Sequence, residues 1–146
     1  MFQVKKFNEL ILTELHGIYA ARVAVFVVEQ NCPYQEVDEQ DLHAHHVFLE
    51  RDGKVAAYCR LIPDDDGVHI GRVLVRSEYR AEKLGRKLVA FALEYATREF
   101  AGADVLAQAQ LYLEKFYASF GFVTESDDYL EDGIPHIDMR LRANKK

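Results

Sequence analysis

Apolar positions along the chain alternate between two periods, and the changes of period outline the elements. Short apolar or alternating runs predict strands at 2–7, 46–50, 55–62, 68–75 and 105–108. Two more follow, one opening at Phe122-Val123 and a last one at 137–141 after Pro135. Leu15, Ile18, Tyr19, Arg22 and Phe26 keep helical spacing. They predict a helix to about Val28, with Thr13 as N-cap and Asn31-Cys32-Pro33 as its stop. Leu84, Leu88, Phe91 and Tyr95 recur at i, i+4, i+7 and i+11, an amphipathic helix ending near Phe100 before Gly102. Leu111, Phe116, Tyr117 and Phe120 predict a short helix stopped by Gly121. Asp52-Gly53 between two strand-like runs is a hairpin signal, and Pro63 with Asp64-Asp65-Asp66-Gly67 marks a second turn. The three strands from His46 to Val75 therefore form an antiparallel meander. The whole order predicts a mixed α/β (α+β) fold in a single domain spanning residues 1–146.

Composition narrows the class. The length of 146 residues suits one domain, and 49 % apolar residues exclude a disordered chain. Cys32 and Cys59 are too few for a disulfide scaffold or a Cys-rich zinc site, and they suit a reducing compartment. No apolar run approaches the ~20 residues of a membrane helix. The start, Met1 to Lys6, shows no apolar segment after its basic residues, so no signal peptide is read. The expectation is a cytoplasmic protein with no membrane partner. A formal net charge of −6 disfavours a nucleic-acid partner.

The stretch from Val73 to Leu88 carries the chemistry. A strand runs into a tight basic loop, and a long helix begins. The first N–H groups of a helix lack internal partners and lie at the positive end of its dipole, which makes an anion site. Arg80, Lys83, Arg86 and Lys87 add full charges. On these residues alone, a phosphate site and an ordinary turn with solvated cations are both open. A Walker A loop is absent.

Four ordered stretches carry a resemblance. Arg80-Ala81-Glu82-Lys83-Leu84-Gly85 resembles the R/Q-x-x-G-x-G/A loop of the GNAT superfamily of acetyl-CoA-dependent N-acetyltransferases. The run from Ala109 to Phe122 is similar to the second GNAT motif, with Tyr117 four residues before Gly121-Phe122. The runs from Val25 to Tyr34 and from Glu131 to Ile137 resemble the ElaA-like branch. The resemblance covers about Leu15 to Met139 and implies a mostly antiparallel central sheet flanked by helices. Lys83 departs from the family at the first loop glycine. If that position needs a positive φ, the lysine is strained by about 1–2 kcal/mol.

The resemblance implies a reaction. Acetyl-CoA is the co-substrate, and an amine of a small molecule, peptide or protein attacks its thioester in a ternary complex. Val73, Leu74 and Val75 would hold the pantetheine arm, and the N–H groups from Arg80 through Ala81, Glu82, Lys83, Leu84 and Gly85 to Arg86 would cradle the pyrophosphate. Gln110 stands where many members have an asparagine on the arm. Tyr117 matches the family's general acid, which protonates the departing thiolate. From spacing alone, Tyr117 reads as a core aromatic beside Phe116 and Phe120. Deprotonating an amine of pKa ≈ 10.4 at pH 7 costs about 4.6 kcal/mol, so a base is expected. Candidates for base and acceptor contacts are Glu29, Asp38, Asp41, His46 and His136, with His136 preferred because histidine titrates near neutrality. A lone histidine also reads as a hydrogen-bonded structural residue. The rival function is a non-catalytic acyl-CoA-binding sensor or interaction module. A homodimer is allowed, although no motif calls for it.

No metal is expected. His43, His45 and His46 near Asp38 and Asp41 match no standard zinc spacing, and Asp64 to Asp66 lack the downstream glutamate of a calcium loop. The net charge is unevenly placed. Arg72, Arg76, Arg80, Lys83, Arg86 and Lys87 face only Glu78 and Glu82 in their stretch. Residues 23–50 and 116–139 hold no Lys or Arg but many acids, among them Glu36, Glu125 and Glu131. That layout predicts a basic cofactor end and an acidic mouth for a cationic amine.

Overall fold

A computed structural model describes residues 1–143. The strands are β1 (Gln3–Lys6), β2 (His45–Arg51), β3 (Lys54–Asp64), β4 (Gly67–Val75), β5 (Val105–Gln110), β6 (Val123–Thr124), β7 (Tyr129–Glu131) and β8 (Ile134–Leu141). The helices are α1 (Leu12–Arg22), α2 (Leu84–Glu99) and α3 (Glu114–Ala118). All eight strands join one mixed sheet in the order β1-β2-β3-β4-β5-β8-β6, with β7 also on β8. Among the described residues only β4 and β5 run parallel; α2 makes the crossover between them.

Burial follows the alternation of side chains across the sheet. Val47, Leu49, Ala57, Cys59 and Leu61 face α2, whose Leu84, Leu88, Val89, Ala92 and Ala96 cover that side. Phe48, Val55, Tyr58 and Leu74 point the other way, against Ile18 and Ala21 of α1. One residue of slip would exchange the two faces, so the register of β2 and β3 is fixed by both cores.

Turn chemistry explains the hairpins. Asp52 (φ 54) and Gly53 (φ 74) give the positive angles of a type I′ turn, and Arg51 pairs directly with Lys54. Asp132 (φ 52) and Gly133 (φ 76) repeat this, with Glu131 paired to Ile134. The hairpin signal at Asp132-Gly133 is as strong as the one at Asp52-Gly53, yet β7 was missing from the expected strands. The last strand also begins earlier than expected, at Ile134.

Two details at the first helix differ from the pattern. Its N-cap is Ile11, not Thr13; the Glu14 carboxylate accepts from the Ile11 N–H at 3.0 Å. A carboxylate in the first turn thus does the work expected of the threonine hydroxyl. Beyond Arg22 the helix widens into a π-helix over Val23–Glu29, with Gln30 N–H donating to Val25 O and Cys32 N–H to Val27 O. Such widened turns are rare and concentrate at functional sites.

Candidate active site

The site begins with a break in the sheet. β3 and β4 lose step between Tyr58 and Arg60, because Arg72 is inserted as a bulge with φ 52. β4 pairs with β5 only from Val68 to Ile70, and beyond that point the two strands part. Between them lies a cleft of about 1140 Å³, lined by Val73, Leu74, Val75, Gln108, Ala109 and Gln110. The unpaired edge of β4 leaves backbone N–H and C=O groups available to a ligand with amides of its own.

Arg80 and Gly85 line one end of the cleft. After Val75, residues Ser77–Glu82 form a tight 3-10 turn and Lys83 takes the left-handed conformation, φ 57 and ψ 32. That angle is the one the family's glycine would adopt freely, so the strain foreseen for Lys83 is present. Lys83 stands at the start of the 16-residue α2, whose first N–H groups have no partner within the helix. A Cβ on Gly85 would come no nearer than 3.7 Å to a side chain, Val75 Cγ2. The space beside Gly85 therefore suits a ligand rather than a packing contact. Leu84 is buried in the core, Glu82 pairs with Arg51, and Arg86 lies 5.4 Å and 5.0 Å from the ring centres of Phe116 and Phe120. Of the loop residues expected to meet a phosphate, Ala81, Glu82, Lys83, Leu84 and Arg86 contribute backbone position rather than cleft-lining side chains.

Tyr117 sits on α3 and lines the cleft from below, packed against Phe116 and Phe122. Tyr117 belongs to the core, as its spacing implied, and also lines the cleft. Burial pushes its pKa well above the usual tyrosine range, so the group stays a phenol at neutral pH. Among the described residues its hydroxyl has no hydrogen-bond partner.

His136 also lines the cleft. Its Nδ1 donates to Ile134 O at 2.7 Å, since a carbonyl can only accept, which leaves the Nε2 lone pair free. Glu131 Oε2 lies 3.7 Å from that Nε2. The ring stacks on Tyr129, whose hydroxyl donates to Asp138 at 2.5 Å.

The other acceptor candidates separate into two sets. Glu29 and Asp38 line the cleft. Asp41 and His46, 1 % and 0 % exposed, do not. His46 Nε2 donates to Asp41 O at 2.9 Å and its Nδ1 accepts from Tyr58 at 2.6 Å. Burial lowers its pKa, so it is neutral. Asp41 Oδ1 accepts from Arg22 at 2.7 Å and Arg60 at 2.9 Å. Arg22 also donates to Glu36, and Arg60 grips both oxygens of Asp38 at 2.7 and 3.0 Å. Arg72 adds an ion pair to Glu36 at 2.6 Å and lies over the Tyr34 ring.

This network corrects the acidic mouth. Four acids of the 23–50 stretch are each matched by an arginine from another element: Glu29 by Arg80, Glu36 by Arg22 and Arg72, Asp38 by Arg60, and Asp41 by Arg22. Sequence reasoning missed Arg60 and Tyr34 as cleft residues and read Arg72 only as part of the basic stretch, whereas Glu131, read as part of the acidic mouth, does line the cleft. The bulge at Arg72 and the second Asp-Gly turn were the available signals. Asp64 at the end of β3, Asp66 in the turn and His69 on β4 could bring ligand atoms within 4.8 Å of one another, but Asp64 and Asp66 are exposed, and His69 Nε2 already lies 2.8 Å from Asp66 Oδ1.

Comparison with known proteins decides the family. The model of the acetyltransferase (GNAT) domain matches residues 14–143. The chain belongs to the GNAT family. Its relatives include a UPF0039 protein of Schizosaccharomyces pombe, C11D3.02c, 48 % identical over 143 residues covering 96 % of this chain and 95 % of that one. The protein ElaA of Escherichia coli is 42 % identical over 137 residues, 90 % of each chain. The crystal structure of ElaA superimposes with a TM-score of 0.93 at 39 % identity, covering 97 % of this chain and 99 % of that one. An acyl-CoA N-acyltransferase from Pseudomonas aeruginosa gives 0.92 at 43 % identity, with coverage of 97 % and 99 %. The mixed fold, the open mostly antiparallel sheet and the ElaA-like kinship expected from the motifs are thus established. Among the described residues no helix is long and apolar enough to cross a membrane.

Proposed function

We propose that this GNAT protein, a single N-acetyltransferase domain over its 146 residues, transfers acetyl from acetyl-CoA to a primary amine within a ternary complex. The carrying observation is the wedge between β4 and β5 with the unpartnered phenol of Tyr117 opening into it. Val73 and Val75 hold the arm through their backbone edge, and Gln110 closes on it from β5. The start of α2, with Gly85 and Arg80, takes the pyrophosphate.

The amine nitrogen attacks the thioester carbonyl, the C–S bond breaks, and the Tyr117 hydroxyl gives its proton to the thiolate. His136 Nε2 takes the proton that the amine must lose, and the Nδ1 contact to Ile134 O keeps that lone pair available. Glu131 stands where it stabilises the resulting imidazolium. The acceptor enters beside Tyr34, Asp38 and Glu131. Asp41 and His46 serve this wall from behind rather than by contact. A cationic amine meets Glu131 and Asp132 first, because the acids nearer Arg60 are already paired. We place the protein in the cytoplasm, a reading supported by its two free cysteines.

The test is release of free CoA thiol from acetyl-CoA over a panel of primary amines. Amine-dependent release with a monoacetylated product is expected. Tight CoA binding with no release for any amine would favour the non-catalytic acyl-CoA module instead.

A further inference from the structure

Two residues assigned to opposite ends of the cleft hold each other. Arg80, on the turn leading to α2, points both terminal nitrogens at the Glu29 carboxylate, the Nη2 contact being 2.7 Å. Its Nε donates to Val75 O at 3.0 Å, which fixes the guanidinium over the end of β4. Glu29 ends the π-helix, and the next residue, Gln30, accepts from Gln110 of β5 at 3.3 Å. The pair 29–30 thus spans the cleft, touching one wall through Arg80 and the other through Gln110. The same segment continues into Cys32 and Tyr34, which line the acceptor half.

We propose that Glu29 is an internal anion that occupies Arg80 until a cofactor phosphate displaces it. This rests on the acyl-CoA reading of the cleft. The bidentate geometry that Arg80 offers a carboxylate is the geometry it offers a phosphate. Both partners are partly exposed, so the pair exchanges at small cost and an arriving dianion competes well. Arg80 is thereby kept aimed into the cleft instead of lying along the surface. Displacement releases the 29–30 strap from its β4–α2 wall, so cofactor arrival alters the acceptor wall.

Calorimetric titration with CoA tests this in wild type, Glu29→Gln, Arg80→Gln and the double variant. Glu29→Gln should tighten CoA by about two- to fivefold, the span of an exposed ion pair. Arg80→Gln should weaken CoA, and adding Glu29→Gln to it should change nothing further. Hydrogen exchange of the amides of Gln30, Asn31, Cys32 and Tyr34 in the absence of CoA should be faster in Glu29→Gln than in wild type. If wild type binds CoA and Glu29→Gln binds it equally or more weakly, the displacement is refuted while the cofactor site stands. If wild type binds no CoA, the cofactor reading fails and this proposal falls with it.

Discussion

The β4–α2 corner presents backbone N–H groups, a glycine and an open strand edge, whereas the wall from Tyr34 to Asp41 presents side chains already bound to one another. The first surface leaves polar groups without partners in the fold, whereas the second has its partners there. A backbone-built surface tolerates exchange of side chains, which is why Lys83 can stand at a glycine position and the loop still folds. The network wall tolerates little, because each of Arg22, Arg60, Glu36 and Asp41 is nearly or wholly out of water. Removing one partner there leaves a buried charge without compensation.

The comparison breaks most visibly at Asp41. Asp41→Ala strips Arg22 and Arg60 of a shared acceptor and should cost about 3–5 kcal/mol, read as a large fall in Tm. A loss under about 1 kcal/mol would mean that water or rearrangement serves the two arginines. Acid provides the next test. Burial lowers the pKa values of both His45 and His46, so the folded protein resists protonating them. The unfolded chain takes up those protons below about pH 6.5. Stability should therefore decline between pH 7.5 and 5.5, before the range in which Asp38, whose pKa is lowered by Arg60, gains its proton and loses its pairs. A Tm that is flat or rises over that interval would contradict this account of the buried histidines. The smallest effect belongs to the corner. Lys83→Gly relieves a left-handed lysine but adds chain entropy to the unfolded state, so the net gain should be about 1 kcal/mol or less. Thermal unfolding checks it; a clear loss of stability would remove strain from the explanation.

The same contrast explains what could be read in the sequence. Periodicity and spacing identify the corner because strand, turn and helix N-terminus are local: Val73 to Gly85 is one continuous stretch. The amphipathic period of α2 and the hairpin at Asp52-Gly53 were legible for the same reason. The network was not, since Arg22 meets Glu36 and Asp41 across 14 and 19 residues, and Arg72 reaches Glu36 across 36. Charge counting treated those acids as free and so overstated the acidic mouth. His46 looked like a site residue from its neighbours in sequence, but the strand alternation that turns it inward makes it a core polar group. Tyr117 stayed ambiguous because an apolar period cannot tell which buried phenol meets a cleft.

The most direct measurement sets turnover against affinity in Tyr117→Phe. The substitution removes one oxygen that the fold does not use. With an amine that supports thiol release, kcat should fall by about 10²- to 10⁴-fold, while the CoA Kd and the Tm stay at wild-type values. Unchanged turnover in a variant that still binds CoA would show that the leaving thiolate finds its proton elsewhere, and it would take from the cleft the role given to its phenol.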